Sequence, residues 1–565
     1  MGKNLGMTPN LILGPLLRHV GSTDATVWVE TDSPCEVEVR VEGSPHRSHT
    51  FRVERHHYAL VRITDLEPGS SYEYAVALDG ERIWPAPGYG FPPSTIRAIV
   101  PDDKLTLAFG SCRVSVPHEP PYTNRRGRFA RGVGGGYERD TLHALALRMR
   151  RQPQEDWPDA LFLLGDQIYA DEVSEGAREY IRSRRDTSKP PGEEVADFEE
   201  YTRLYWDSWG DPAIRWLLST VPSAMIFDDH DVHDDWNTSE RWVQQMRAKS
   251  WWEERIVGAF MSYWVYQHLG NLSPEELEED DLFGRVQKVE DATRVLREFA
   301  YKADREVAGT RWSFHRDFGR VRVIIVDSRA GRVLDEEHRS MVDDEEWTWI
   351  EDKATGDFDH LLFGTSLPFL LAPGLHHLEA WNEAVCRGAW GRTAAKLGEF
   401  IRQLLDLEHW AAFQDSFVHL ARLLRSVGAG ERSDGRPPAA IVLLSGDVHH
   451  GYLTEIAFEG GADLESKVYQ AVSSPLRNPL GLPERLALRA GWKRSGGLAG
   501  KTLARLAGVA EQDVRWRLMH EEPWFDNHVS TLELRGRNAT LKIEKTTQED
   551  AGEPRLYTIL ERRLA

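Results

Sequence analysis

The stretch ALFLLGDQIYADE (160–172) decides how the chain is to be read. Five apolar residues run without a break and give way at once to Gly165, Asp166, Tyr169, Asp171 and Glu172. A continuous apolar run of strand length indicates a strand buried on both faces, which requires helices packed on each side of its sheet. The pattern recurs in LTLAFGSCR (105–113), SAMIFDDHDVHDD (223–235), VRVIIVDSR (321–329), LLFGTSLP (361–368) and AIVLLSGDVHHGY (440–452). Segments between these runs, such as DTLHALALRMRR (140–151) and residues 396–427, are long and helix-forming. An α/β class follows for everything beyond residue 100. In open α/β sheets ligands bind outside the carboxyl ends of the strands, and Asp, His and Cys residues fall at those ends repeatedly.

Upstream the periodicity is different. ATVWVE (25–30), CEVEVRVE (35–42) and YALVRI (58–63) alternate with period two, as half-buried strands do. ITDLEPGSSYEYAVALDG (63–80) places a Pro-Gly turn before an alternating aromatic strand and is similar to the tyrosine-bearing turn of fibronectin-type-III sandwiches. The Pro-rich WPAPGYGFPPS (84–94) reads as a linker. The expected organisation is an N-terminal all-β, fibronectin-III-like domain over 1–100 and a catalytic domain with helical insertions over 101–565. Residues 236–300, 376–430 and the Arg-rich 484–520 read as insertions, and 529–536, 539–545 and 557–563 return to strands.

Composition bounds the function. Hydrophobic residues make up 41 % of 565, with 20 Trp, 20 Phe and 16 Tyr, which is ample for a large core and excludes disorder as the default. The net charge of −21 disfavours double-stranded nucleic acid and anionic lipid as general partners. An anionic substrate then needs bound cations or local Arg. Three cysteines, at 35, 112 and 386, form no disulfide framework. No signal peptide and no membrane span is read from the sequence, so a cytoplasmic location is expected.

Several residues at the strand ends suit metal ions. Asp166 and Tyr169 lie three apart on one turn, while Asp447 and His449 alternate onto one side of an extended loop. Residues 228–235 hold five Asp and two His, with Asp234 and Asp235 at the end of the run, and mutual repulsion makes such density costly unless cations neutralise it. Oxygen and imidazole donors with one thiolate suit a metal pair, which at roughly 3.5–4 Å separation clamps a phosphoryl oxygen and activates a bridging water.

GSC (110–112), GDQIYADE (165–172), DDHDV (228–232), VDSR (326–329), EEWTWIED (345–352) and SGDVHHGY (445–452) follow in this order. Together they resemble the PhoD-like alkaline phosphatase and phosphodiesterase family. That family belongs to the calcineurin-like metallophosphoesterases, which are similar to the purple acid phosphatases. The resemblance spans about residues 10–560 and implies an α/β four-layer sandwich. It implies that Cys112, Asp166, Tyr169 and His449 hold Fe3+, and that Asp166, Asp229 and Asp447 hold Ca2+ or another divalent ion such as Mn2+, Zn2+ or Mg2+. It implies that His230 acts as general acid or phosphate donor and that Arg329 contacts phosphate. The implied reaction is hydrolysis of a small phosphate mono- or diester by metal-bound hydroxide. Two departures stand out: Thr365 and Ser366 occupy a position where relatives offer Gln or His, and Asp234-Asp235 replaces Asn-Asn.

Taken singly, these residues have simpler readings. Cys112 alone is a small buried hydrophobe, Tyr169 an aromatic on a turn, Asp166 and Asp447 helix caps, and Arg329 a structural ion pair. His233, His450, Cys35 and Cys386 are read as non-ligands. The other functional class open to the sequence is a non-catalytic ligand- or metal-binding protein that keeps the fold. Within the enzyme class, tryptophans of the helical insertions could form an apolar rim selecting diesters.

Overall fold

The computed structural model describes residues 8–101, 104–125, 136–433, 435–458, 464–547 and 552–565. The N-terminal part holds two antiparallel sheets. One is ordered Leu11–Val20, Ala25–Thr31, His56–Ile63, Phe51–Val53. The other is ordered Ser44–His49, Glu36–Val41, Ser71–Leu78, Glu81–Trp84, with Thr95–Arg97 also paired to Ser71–Leu78. Period-two alternation sends Val27, Val29, Val37, Val39, Val61 and Val76 into a core of their own. The Tyr72 hydroxyl accepts the backbone N–H of Glu67 at 2.8 Å, a bond of the kind that fixes a tyrosine corner.

The segment 84–94 is not a free linker. The Tyr89 hydroxyl donates to the Pro212 carbonyl at 2.7 Å, and the Trp216 indole donates to the Pro92 carbonyl at 2.9 Å. Phe91 stacks on Trp216 with ring centroids 5.3 Å apart. Its aromatic side chains pack against helix Pro212–Thr220 and dock it.

Two further sheets follow. The first runs Ser223–Ile226, Ala160–Leu164, Leu105–Gly110, His528–Arg535, Asn538–Thr546, Leu556–Arg563, with the first three strands parallel. The second runs Phe314–Phe318, Val321–Val326, His360–Thr365, Ala440–Ser445, Lys467–Val472, Tyr452–Phe458, Val514–Leu518. Along the second sheet Val323, Ile325, Leu362, Val442 and Leu444 share a core with the first sheet. Their neighbours Ile324, Leu361, Phe363, Ile441 and Leu443 pack instead with residues of helices Asp344–Lys353 and Gln414–Gly428. Successive side chains thus alternate between two apolar environments, which is why these runs contain no polar break. Helix Thr141–Met149 covers the first sheet at its strands near the carboxyl terminus. The architecture is a mixed α/β sandwich behind an all-β N-terminal region.

Loops from the two sheets come very close at one edge. A Cβ on Gly446 would lie 2.1 Å from Ser111 Oγ and 3.0 Å from the Leu164 carbonyl, so only glycine lets them meet. The three insertions are helical: Glu240–Arg247 through Thr293–Arg305, Pro373–Cys386 through Gln414–Gly428, and Leu482–Trp492 with Arg494–Leu506.

Candidate metal centre

Parallel register sets the site. Gly110 pairs with Leu163, and Leu164 pairs with Ile226, so three adjacent strands end at the same edge. Cys112, Asp166 and Asp229 follow those ends. In the facing sheet Val326 pairs with Thr365 and Thr365 with Ser445, which brings Arg329, Ser366 and Asp447 to the corresponding edge.

Cys112, Asp166, Asp447 and His449 all adopt the left-handed backbone region, with φ of 55°, 50°, 63° and 49°. Non-glycine residues persist there only where surrounding structure enforces it, and such residues cluster at functional sites. The enforcing bonds are visible. Asp166 N–H donates to Asp231 Oδ2 at 3.1 Å, Asp447 N–H to Ser111 Oγ at 3.1 Å and His449 N–H to Ser474 Oγ at 3.2 Å. Cys112 N–H reaches the Gly165 carbonyl at 3.4 Å.

Cys112, Asp166 and His449 present donor atoms within 4.8 Å of one another. The Tyr169 hydroxyl lies 3.4 Å from Asp166 Oδ2 and accepts from Asn478 Nδ2 at 3.2 Å. A second group, Asp166, Asp228 and Asp229, meets the same 4.8 Å limit, and a third joins Asp229, His230 and Asp234. Asp166 therefore belongs to two groups at once. Its Oδ1, and Oδ2 of Asp228, are buried without a hydrogen-bond partner, and such atoms are costly unless something else satisfies them.

Burial holds the Asp166 carboxyl well above the ordinary range; His230 opposes this, while Asp228, Asp229 and Asp231 add to it. Burial, then Asp166 and Asp447, push the Cys112 thiol well up. Protein groups alone thus favour an uncharged thiol and carboxyl. A bound cation reverses that preference, because it stabilises thiolate and carboxylate together. The orphaned oxygens and the mixed sulfur, oxygen and imidazole donors fit such cations.

Asp447 is held from two sides: His409 Nε2 donates to its Oδ2 at 3.1 Å and Arg329 Nη2 to its Oδ1 at 3.3 Å. Arg329 is fully buried. It is bonded to Asp228 and pairs with Asp229 at 3.1 Å and Glu408 at 2.5 Å. Four carboxylates engage its guanidinium, so it is not presented to a phosphate as expected but sits beneath the acidic residues and spaces them. His230 donates through Nδ1 to Asp171 at 2.9 Å and packs its ring on Tyr169, with centroids 4.7 Å apart. Burial disfavours its charge, but Asp171, Asp229 and Asp166 outweigh that and hold its pKa well above the ordinary value.

The two departures from the motif pattern have partners of their own. Thr365 Oγ1 accepts from the Trp410 indole at 3.4 Å, and Ser366 Oγ bonds Ser328 Oγ at 2.9 Å. Asp234 and Asp235 turn their backbone N–H groups to Asp171 at 2.7 Å and Asp229 at 3.3 Å. His450 is buried, bonded to the Val448 carbonyl at 2.6 Å and stacked near Tyr452 and Phe525. His233 lies among Trp242, Trp251 and Trp252. Cys35, Cys112 and Cys386 carry no disulfide.

Residues 134–301 match the PhoD-like phosphatase family. The chain therefore carries a domain of that family. It is accordingly a phosphoric ester hydrolase. Residues 8–96 match a domain of unknown function, DUF7800. No curated protein is matched by the sequence. A solved structure of PhoD is similar over 100 % of this chain and 94 % of that one, with a TM-score of 0.58 and 11 % identity, which bears on the fold. A purple acid phosphatase, PPD1, from yellow lupin (Lupinus luteus) seeds aligns with 98 % of this chain and 73 % of its own, at a TM-score of 0.45 and 11 % identity.

In this phosphatase several residues at the site carried no sequence expectation. Glu408 and His409 enter from the insertion at 376–430, and Glu379 on helix Pro373–Cys386 accepts from His409 Nδ1 at 2.8 Å. Asp171 lay within GDQIYADE but had no role assigned; its position five residues after Asp166 is the one signal that pointed to it. Glu408 and His409 follow no strand, so nothing local marked them. Among the described residues no helix is long and apolar enough to cross a membrane.

Proposed function

We propose that the chain hydrolyses phosphate mono- or diesters at a two-cation site whose shared ligand is Asp166. The observation carrying this reading is the convergence of Cys112, Asp166 and His449 with Asp166, Asp228 and Asp229 at facing strand ends. Cys112, Asp166, Tyr169 and His449 would hold the first ion, and thiolate with phenolate favours Fe3+. Asp166, Asp229 and Asp447 would hold the second, and hard carboxylate oxygens favour Ca2+ or another divalent ion such as Mn2+, Zn2+ or Mg2+. Such a pair supplies Lewis-acid stabilisation of the phosphoryl oxygens and an activated water.

The chain's own groups do the rest. Asp171 holds His230 Nδ1–H, which leaves Nε2, 3.8 Å from Asp234, to hold the proton passed to the leaving oxygen. Arg329 and His409 fix the Asp229 and Asp447 carboxylates, because a ligand's orientation is set by the groups bonded to its far side. In this reading the catalytic unit is 101–565 and the β-region 1–100 is a separate domain docked on it.

Purified protein should hydrolyse p-nitrophenyl phosphate or its bis-ester and lose that activity in a strong chelator, with recovery on adding divalent ion and iron. Undiminished hydrolysis after complete metal removal would refute the proposal.

A further inference from the structure

Helix Arg392–Leu404 is inside out. Its buried face carries Glu399 and Arg402, which pair at 2.9 Å, and Arg402 also bonds Glu336. Leu397, Phe400 and Leu404, at helical spacing, are instead 59 %, 61 % and 61 % exposed. Amphipathic helices of water-soluble domains place that stripe against the core, so this helix is built to meet an apolar phase on its outer side.

A second helical pair behaves the same way. Leu482–Trp492 buries no residue, and Leu482 and Leu486 face solvent one turn apart. Arg494–Leu506 packs through Gly500 and Ala504, while Leu498 and Leu506 stand 67 % and 69 % exposed. Both regions flank helix Pro373–Cys386. They join at Trp390, itself exposed, whose indole donates to the Leu506 carbonyl at 3.2 Å.

Charge selects the partner. Over 482–507 six basic side chains stand against one acidic, Glu484, in a chain whose net charge is −21. Arg489 pairs with Glu522, and Lys501 and Arg505 pair with Glu511, which leaves Arg485, Lys493 and Arg494 as the basic side chains that meet no carboxylate in these pairs. Exposed Lys493 and Arg494 lie between the two apolar stripes, and exposed Arg392 and Lys396 lie on the inside-out helix. Leu, Phe and Trp ringed by Lys and Arg is the composition of helices that lie in the headgroup region of anionic bilayers. The overall acidity that disfavours anionic lipid is therefore offset locally around Lys493 and Arg494.

We infer that helices Arg392–Leu404, Leu482–Trp492 and Arg494–Leu506 form a docking face for the surface of an anionic phospholipid bilayer. The face borders the site: exposed Leu404 and Leu405 precede Asp406, whose carboxylate faces that of Asp235. The inference does not depend on the proposed chemistry, because vesicle binding is read without turnover.

The test is flotation of the full chain with vesicles of equimolar phosphatidylcholine and phosphatidylglycerol, beside vesicles of phosphatidylcholine alone. The chain should float with the anionic vesicles, more weakly with the neutral ones, and less as salt is raised. Phe400→Glu with Leu404→Glu should weaken binding about tenfold or more, and Lys493→Glu with Arg494→Glu should weaken it about tenfold or more on anionic vesicles. Both variants should hydrolyse a soluble p-nitrophenyl ester as wild type does. A wild-type chain that stays unbound, or glutamate variants that bind as well as wild type, would overturn the inference. So would a wild-type dimer that Phe400→Glu dissociates in the absence of vesicle binding, which would make the face a contact between two copies.

Discussion

His409 Nε2 donates to Asp447 Oδ2 at 3.1 Å, while its Nδ1 donates to Glu379 at 2.8 Å. Both ring nitrogens face carboxylates, which favours the charged form of the ring. Burial opposes that charge, and Glu379 and Asp447 more than offset it. A helical insertion thus reaches into the strand-end site and sets the orientation of one proposed ligand.

His409→Ala should lower retention of the divalent ion about 10- to 100-fold, the usual effect of losing a group that orients a metal ligand. Titration of metal-stripped protein with Ca2+ or Mn2+ measures this. Unchanged affinity would reduce His409 to a packing residue.

Arg329 is buried among Asp228, Asp229, Glu408 and Asp447. Removing one partner of a buried charged network leaves uncompensated charge, so Arg329→Met should cost about 3–5 kcal/mol in urea unfolding. Divalent ion should restore part of that loss. Arg329→Lys should rescue little, since a single ammonium cannot reach four carboxylates. Wild-type stability in Arg329→Met would contradict the spacing role.

If Cys112 and Tyr169 both donate to a ferric ion, charge transfer should colour the native protein. Tyr169→Phe should shift or remove part of the visible band, and Cys112→Ser should weaken iron retention. An iron-free, colourless and fully active protein would defeat the ferric assignment and leave the two-cation reading standing.

His56 joins the β-region to the catalytic part, lying 2.5 Å from Glu30 and 3.3 Å from Glu199 of helix Phe198–Trp209. Burial lowers its pKa, but Glu199 and Glu30 outweigh that and raise it to about 9. A raised histidine contributes stability fully present below its unfolded pKa of about 6.5 and lost as pH rises through the folded value. The stability difference between wild type and His56→Gln should therefore be about 2–3 kcal/mol near pH 6 and shrink through pH 9. A difference independent of pH would assign His56 to packing alone.

Much of the site was legible because its residues follow buried strands, where a polar cluster after an apolar run stands out. Cys112, Asp166, Asp229 and Asp447 were found this way, and the structure brings them together with Tyr169 and His449. Glu379, Glu408 and His409 were not legible, since they arrive on helices whose approach is set by tertiary packing. Arg329 had two readings in the sequence. The resemblance implied a phosphate contact, its place after a strand allowed a structural ion pair, and the four carboxylates around it match the ion pair. The outward stripe of helix Arg392–Leu404 was equally hidden, because helical periodicity marks a face without saying which side is buried.

Asp166 is common to both groups of donors, so Asp166→Ala tests the account most directly. Metal content and hydrolysis of p-nitrophenyl phosphate and its bis-ester should be measured on one preparation with wild-type circular dichroism. The account predicts that bound metal and turnover fall together. A folded Asp166→Ala protein that hydrolyses either ester at the wild-type rate would contradict it.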